Sequence, residues 1–313
     1  MPLNYVFFGT PAFCLRALDR LVQAGYQPAA VVCQPDRPRG RGRRLSPPAT
    51  KAWAQALAVP VHQPERCSES GFLGCLQDLR PDLGLVYAFG QILPASLLRI
   101  PRLGFINIHP SLLPRWRGAA PVQWALLSGD DKTGVSIIRV TPRLDDGDII
   151  LQRRVAIHED ENAVELGQRL ADLGGRLAAD VLHMFEQGRV SGRSQDESLV
   201  TWAPSLKKAD GRLDWRRPAR ELHNRVRAVQ PWPGAWSKLR NKVLKIQRTR
   251  LRAGESVAEA RPGQVVAARG DEILVATGEG VLQLVEVQLE GRKRLDARAF
   301  LQGRTLAVGD MLT

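Results

Sequence analysis

The chain has 313 residues, with 45 Lys and Arg against 32 Asp and Glu for a net charge of +13, and 44% of it is hydrophobic, enough for two domains of ordinary size. It has no apolar run near the ~18 residues of a membrane-spanning helix, and Cys14, Cys33, Cys67 and Cys75 lack the CxxC spacing of a zinc site or the density of a disulfide scaffold. The opening MPLNYVFFGT reads as a strand and not as an export leader, so free thiols in a reducing cytoplasm are expected.

In chain order, the first half alternates short apolar runs with helical spacing. YVFFG (5–9) is a strand, 11–25 a helix stopped by Gly25, and PAAVVCQ (28–34) a second strand. A helix near 50–57, a strand at 59–63, a helix at 70–78 and a strand within 82–90 follow. Then come GFINIH (104–109), a helix near 120–128, and strands at 134–140 and 148–157. This pattern predicts an α/β fold with a doubly wound, mostly parallel sheet. A long amphipathic helix over 162–187 carries Leu166, Leu170, Leu173, Leu177, Val181 and Phe185 on one stripe, and the polar stretch 189–206 reads as a linker. Beyond it, one helix (218–228) and several short strands with recurrent turns predict a smaller β-barrel, OB-like in class. The expected division is therefore 1–188, a linker at 189–206, and 207–313. The last segment is basic, with 22 Lys and Arg against 12 Asp and Glu, which points to a polyanion partner or to a merely solvated surface.

Two stretches carry chemistry. In FINIHPSLLPRWRG (105–118), Asn107 and His109 lie two apart at a strand end, so both side chains face the same way. An imidazole moves protons near neutral pH and an amide N–H stabilises an oxyanion; the plainer alternative is that the pair satisfies loop backbone. In TPRLDDGD (141–148), Asp145, Asp146 and Asp148 lack the further ligands of a calcium loop. The stretch is either a plain turn in which Gly147 adopts positive φ, or a source of one carboxylate that orients the imidazole. QPDRPRGRGRRLSPP (34–48) holds Arg37, Arg39, Arg41, Arg43 and Arg44 against Asp36, and its Gly and Pro residues disfavour helix and strand. It is a solvated loop or an arginine loop that orders on RNA.

FINIHPSLLPRWRGAAPVQ followed by TGVSIIRVTPRLDDGDII resembles the folate-dependent formyltransferases. FFGTPAF (7–13), AFGQILP (88–94), PWPGAW (231–236) and EGRKRLDARAFLQGRTLAVGD (290–310) extend the resemblance from end to end. It implies transfer of the formyl group of 10-formyltetrahydrofolate, a co-substrate, to the α-amine of methionyl initiator tRNA, with no metal. It also implies catalytic Asn107, His109 and Asp145; Asp146 stands where the family has Thr, and Phe89 where Tyr is usual. The folate pocket would be walled by Phe89, Gly90, Gln91 and Ile92, by Ser111, Leu112, Leu113 and Pro114, and by Val140 and Leu144. The arginine loop would approach the acceptor stem, with Arg41 at its centre. Lys207 and Lys208, and further along Arg216, Arg217, Arg248, Arg250 and Arg252, would meet phosphates. The partners implied are tRNA and a small folate, with no membrane, for a cytoplasmic monomer. A formyltransferase acting on an amino sugar or a purine intermediate, a formyl hydrolase and a non-catalytic RNA-binding protein are the alternatives.

Overall fold

The computed structural model describes residues 3–39, 44–252, 260–303 and 306–313. The chain forms two compact units: Met1–Gly118, Thr133–Ala156 and Gly167–Trp202 make one, and Ala119–Lys132, Ile157–Leu166 and Ala203–Thr313 the other.

The first unit is built on a seven-stranded sheet. Its strands are β1 (Tyr5–Gly9), β2 (Ala30–Val32), β5 (Val61–His62), β6 (Leu83–Tyr87), β7 (Phe105–His109), β8 (Lys132–Arg139) and β9 (Ile149–Ala156), in the order β5-β2-β1-β6-β7-β8-β9. Strands β5 to β7 are parallel, and β8 runs against β7 with Asn107 opposite Ile138 and His109 opposite Ser136. Tyr5, Val6, Phe7 and Phe8 are fully buried, because a central parallel strand is covered on both faces and therefore reads as a continuous apolar run. The helices are α1 (Cys14–Gln23), α2 (Ala49–Ala56), α3 (Ser70–Asp78), the short α4 (Ala95–Leu98) and most of α6 (Ala163–Glu186).

The two faces of β7 meet different neighbours. Ile108 points toward α6, where a Cβ placed on Gly174 would lie 2.6 Å from its Cγ2, so helix and sheet touch too closely for a larger residue. Phe105, Asn107 and His109 alternate to the opposite face. There Phe105 joins Phe8, Phe89, Phe72, Leu76, Leu97 and Val140 in one apolar cluster, with Phe8 edge-on to Phe89 and Phe105 at centroid distances of 5.4 and 5.3 Å. Such aromatic pairs add about 0.5–1.5 kcal/mol each beyond burial, and they fix the floor beside which Asn107 emerges. Cys14, Cys33 and Cys67 are buried, and Cys75 on α3 is exposed.

Two segments differ from the sequence-based expectation. The arginine stretch is not irregular throughout: β3 (Arg37–Arg39) and β4 (Arg44–Ser46) form an antiparallel pair with Arg39 opposite Arg44. Gly and Pro weaken a strand interior, but a two-stranded ribbon is all edge and tolerates both. The expected linker is largely folded against the first unit. Arg193 exchanges backbone hydrogen bonds with Ile149 at 2.8 and 2.9 Å, and Thr201 N donates to Pro114 O at 3.4 Å. Most of its side chains are exposed, so its polar composition fits a surface segment that backbone bonds tie down.

The second unit contains α5 (Pro121–Leu127), α7 (Ala219–Ala228), β10 (Ala235–Leu239), β11 (Lys242–Arg252), β12 (Val265–Arg269), β13 (Glu272–Ala276), β14 (Val281–Leu289), β15 (Leu295–Asp296) and α8 (Ala297–Gln302). Its antiparallel sheet runs β10-β11-β14-β13-β12, with β15 on β14. Leu312 bridges Leu239 at one edge and Met311 bridges Gln264 next to the other, which gives the sheet its barrel-like closure. Leu222 and Val226 of α7 pack into a core with Leu244, Ile246, Val275, Leu282 and Leu284.

Candidate active site

His109 is the last residue of β7 and is 3% exposed. Its Nε2 lies 2.9 Å from Trp116 O, and since a carbonyl only accepts, Nε2 carries a proton. Its Nδ1 lies 3.5 Å from Asp145 Oδ2, longer than a tight hydrogen bond. Asn107 Nδ2 donates to Asp145 Oδ1 at 3.3 Å, and Gly118 N donates to Asp145 Oδ2 at 3.0 Å. Asn107 and His109, two apart on β7, thus meet Asp145 from a loop further along the chain; Asp145 accepts from Asn107 and from a backbone N–H and faces His109 Nδ1.

Asp145 arrives there by an indirect path. Because β8 is antiparallel to β7, its end at Arg139 lies beside Ile106, well short of His109. The 140–148 loop therefore doubles back over the sheet face, where the sequence reading placed it simply at a sheet end. The tight point of that reversal is Gly147, whose added Cβ would stand 1.9 Å from Arg139 O. Gly147 is not at positive φ as expected for a plain turn; Asp145 is, at φ 51°. A non-glycine residue in that region is held there only by its surroundings. The adjoining Asp146 is bound within the loop by Thr141 Oγ1 and by Arg143. Among the described residues there is no group of three or more His, Cys, Asp or Glu side chains arranged to hold a metal.

The expected folate walls divide into rigid and exposed members. Phe89 is buried, and its carbonyl accepts from Thr10 Oγ1 at 3.0 Å and Gln34 Nε2 at 3.3 Å, while Gly90 takes φ 90°. Gln91 is committed to local backbone: Nε2 donates to Pro64 O and Glu65 O, and Oε1 accepts from Cys67 N. Ser111 is fully buried and its hydroxyl donates to Arg115 O at 2.6 Å. Leu113 is clustered with Ile138 and Ile149, its carbonyl accepts from Gln152 Nε2 at 3.0 Å, and Leu112 and Pro114 on either side are half-buried. Val140 packs against the phenylalanine cluster. By contrast Ile92 is 90% exposed and Leu144 is 61% exposed, apolar surface of the kind a flat aromatic ligand covers.

Of the expected RNA contacts, Arg37 pairs with Glu65 at 3.2 Å with both side chains exposed. The backbones of Arg39 and Arg44 pair across the ribbon, and Arg41 and Arg43 lie outside the described residues. The ribbon's base is fixed by Asp36, which accepts from Gln63 at 2.8 Å and from Lys51 at 2.9 Å. The bond from Gln63 and then that from Lys51 hold its carboxyl below the usual range. Lys207 and Lys208 are exposed on the second unit. Sequence reasoning missed Arg117 and Gln195 beside Asp145. Arg117 lies inside the quoted motif, but its partner is 78 residues away, and nothing local to either residue announces the pair.

A family model described as formyl transferase matches residues 3–182, and one described as formyl transferase, C-terminal domain, matches 205–305. A methionyl-tRNA formyltransferase of Pelobacter propionicus is 45% identical over 309 residues, 99% of this chain and 96% of that protein. Among solved structures, HypX from Aquifex aeolicus in complex with tetrahydrofolic acid superposes with TM-score 0.68 at 17% identity, over 98% of this chain and 48% of that one. An N-formyltransferase from Helicobacter canadensis in complex with folinic acid and dTDP-3-aminofucose gives TM-score 0.66 at 14% identity, over 90% and 98%. At such identities these two structures speak to the fold alone.

Proposed function

The chain belongs to the methionyl-tRNA formyltransferases, and from that premise we propose that Asn107, His109 and Asp145 transfer the formyl group of 10-formyltetrahydrofolate to the α-amine of methionyl initiator tRNA. The observation that carries this reading is the convergence of Asn107 Nδ2, His109 Nδ1 and Gly118 N around Asp145.

The chemistry is acyl transfer between two nitrogens. The free amine attacks the formyl carbon on N10 of the folate, and the carbonyl oxygen becomes an oxyanion. Asn107 has two N–H donors; one engages Asp145 and the other is available to that oxygen. With Nε2–H held by Trp116 O, the Nδ1 edge of His109 beside Asp145 becomes a second donor when the ring carries both protons. The attacking amine then loses a proton, N10 gains one, and the C–N10 bond breaks to release tetrahydrofolate and formylmethionyl-tRNA. Asp145 holds the imidazole and accepts positive charge beside it, which suits it to the proton relay. Each step uses this chain's own side chains and needs no metal.

Folate donor walls at Phe89–Ile92, 111–114 and Val140–Leu144 fit this assignment, since rigid backbone is presented next to the exposed Ile92 and Leu144. On this reading residues 1–188 carry the folate and the chemistry, and the basic segment from 207 to 313 meets the acceptor RNA together with Arg37, Arg39, Arg41, Arg43 and Arg44. The deciding assay measures formyl transfer to methionyl-tRNA and to an amino sugar nucleotide, with wild type and His109→Ala. The expected result is transfer to tRNA only, lost in the variant; transfer to the sugar, or an unimpaired variant, refutes the reading.

A further inference from the structure

The side chains around Asp145 include a pair, Arg117 buried and Gln195 half-buried, that makes no hydrogen bond to His109 or Asn107. Arg117 is 3% exposed and sits between two residues of direct consequence. Trp116 supplies the carbonyl that orients His109, and Gly118 supplies the N–H held by Asp145. The Arg117 guanidinium donates to Gln195 Oε1 from Nε at 3.0 Å and from Nη2 at 2.9 Å, and to Glu197 at 2.9 and 3.3 Å. The bond from Arg117 holds the Glu197 carboxyl below the usual range, so Glu197 is ionised across the neutral range. Gln195 then turns its amide the other way. Nε2 donates to Asp145 O and to Gly147 O, each at 2.8 Å. The backbone on the far side is fixed as well, since Trp116 N donates to Thr201 Oγ1 and Arg117 N to Thr201 O, both at 2.9 Å.

These bonds grip the parts of the site that are least stable by themselves. Asp145 and Trp116 have φ of 51° and 65°, values that side-chain-bearing residues adopt only under constraint. One amide clamps the carbonyls on both sides of the Asp145–Gly147 turn. One guanidinium ties that amide to the segment bearing the His109 acceptor.

We infer that Arg117 and Gln195 form a positioning relay that holds the Asp145 carboxylate in register with the His109 imidazole for formyl transfer. The inference rests on the proposal that Asn107, His109 and Asp145 perform the chemistry. Neither Arg117 nor Gln195 touches the reacting atoms; both act through Asp145. Glutamine is required at position 195 because the site needs an acceptor toward Arg117 and a two-fold donor toward two carbonyls. Glutamate supplies only the first and sets an oxygen against those carbonyls.

The test uses the full chain with Gln195→Met, Gln195→Glu and Arg117→Lys, each also in an Asp145→Ala background, at single turnover and in steady state. Gln195→Met is expected to lower kcat about 10- to 100-fold, with KM for the folate donor and for methionyl-tRNA within about twofold and the thermal midpoint preserved. Gln195→Glu, close to Gln in size, is expected to lose at least as much. In the Asp145→Ala background neither change costs anything further, because the group they position is gone. An unimpaired kcat in Gln195→Met and Gln195→Glu, or an equal loss with and without Asp145, overturns the relay. If Asp145→Ala itself retains wild-type kcat, the underlying assignment of the site fails. If Asp145→Ala is impaired and both Gln195 variants are not, the relay alone fails.

Discussion

At the scale of residues, the proposed chemistry depends on three side chains and one absent one. Removing an oxyanion donor raises a barrier by roughly 2.7–4 kcal/mol, so Asn107→Ala is expected to lower kcat about a hundredfold or more, with near-normal folate affinity by fluorescence titration. Gly147→Ala forces a Cβ to within 1.9 Å of Arg139 O, a backbone atom, so the loop that carries Asp145 must shift. Its turnover is expected to fall by a similar factor, read at single turnover, because displacing Asp145 by about 1 Å is costly. The residues of this site differ in how legible they were. Asn107 and His109 stood out by their spacing on a strand, whereas the loop between strands offered Asp145, Asp146 and Asp148 alike and only the family resemblance singled out Asp145. Gly147 was legible as a necessary glycine, but for the wrong reason. Positive φ belongs to Asp145, and only the antiparallel placement of β8 reveals that close approach is what forbids a side chain at 147.

At the scale of elements, alternating apolar runs and helical spacing located most strands and helices within a few residues, because buried parallel strands and amphipathic helices impose strong periodicity. The β3–β4 ribbon, α4 and α8 were not legible; each is six residues or shorter, and the ribbon is built from residues that disfavour strands. Helix α7 illustrates packing that sequence does not announce. His223, 2% exposed, has Nε2 at 3.1 Å from Glu159 O and Nδ1 at 3.0 Å from Thr249 Oγ1, and Arg227 donates to Asn224, His158 O and Glu161 O. Burial pushes the His223 imidazole below its ordinary value, with the Arg227 and Arg220 charges in the same direction and Asp160 and the Glu159 carbonyl opposing. The unfolded chain therefore binds this proton more readily than the folded one. Stability from this group is complete above the ordinary histidine range near ~6.5 and is lost as pH falls through the lower folded value. Urea unfolding at several pH values is expected to show that loss in wild type and a flatter dependence in His223→Gln.

At the scale of the molecule, charge is unevenly spread along the chain, which fits the RNA-contact role proposed for the basic segment. The segment from Lys207 onward carries most of the excess of cations, and Lys207 and Lys208 are exposed at its start. Each phosphate contact contributes about one unit to the slope of binding against salt. Replacing both lysines with alanine is expected to reduce that slope by up to about two, measured on methionyl-tRNA across a salt series, while the transfer rate at saturating tRNA stays near wild type. The basic segment from 207 onward was readable from composition. How residues 119–132 and 157–166 pack with the second unit was not, since contiguity in sequence gave no sign of it.

The placement of the sulfur atoms makes the native protein its own probe. Burial removes Cys14, Cys33 and Cys67 from reagents and pushes their thiols up, to about 11 for Cys33 and Cys67, whereas Cys75 is exposed. A maleimide dye should therefore attach once, on α3, without any engineering. Slower uptake of further equivalents would then clock how often the first unit opens.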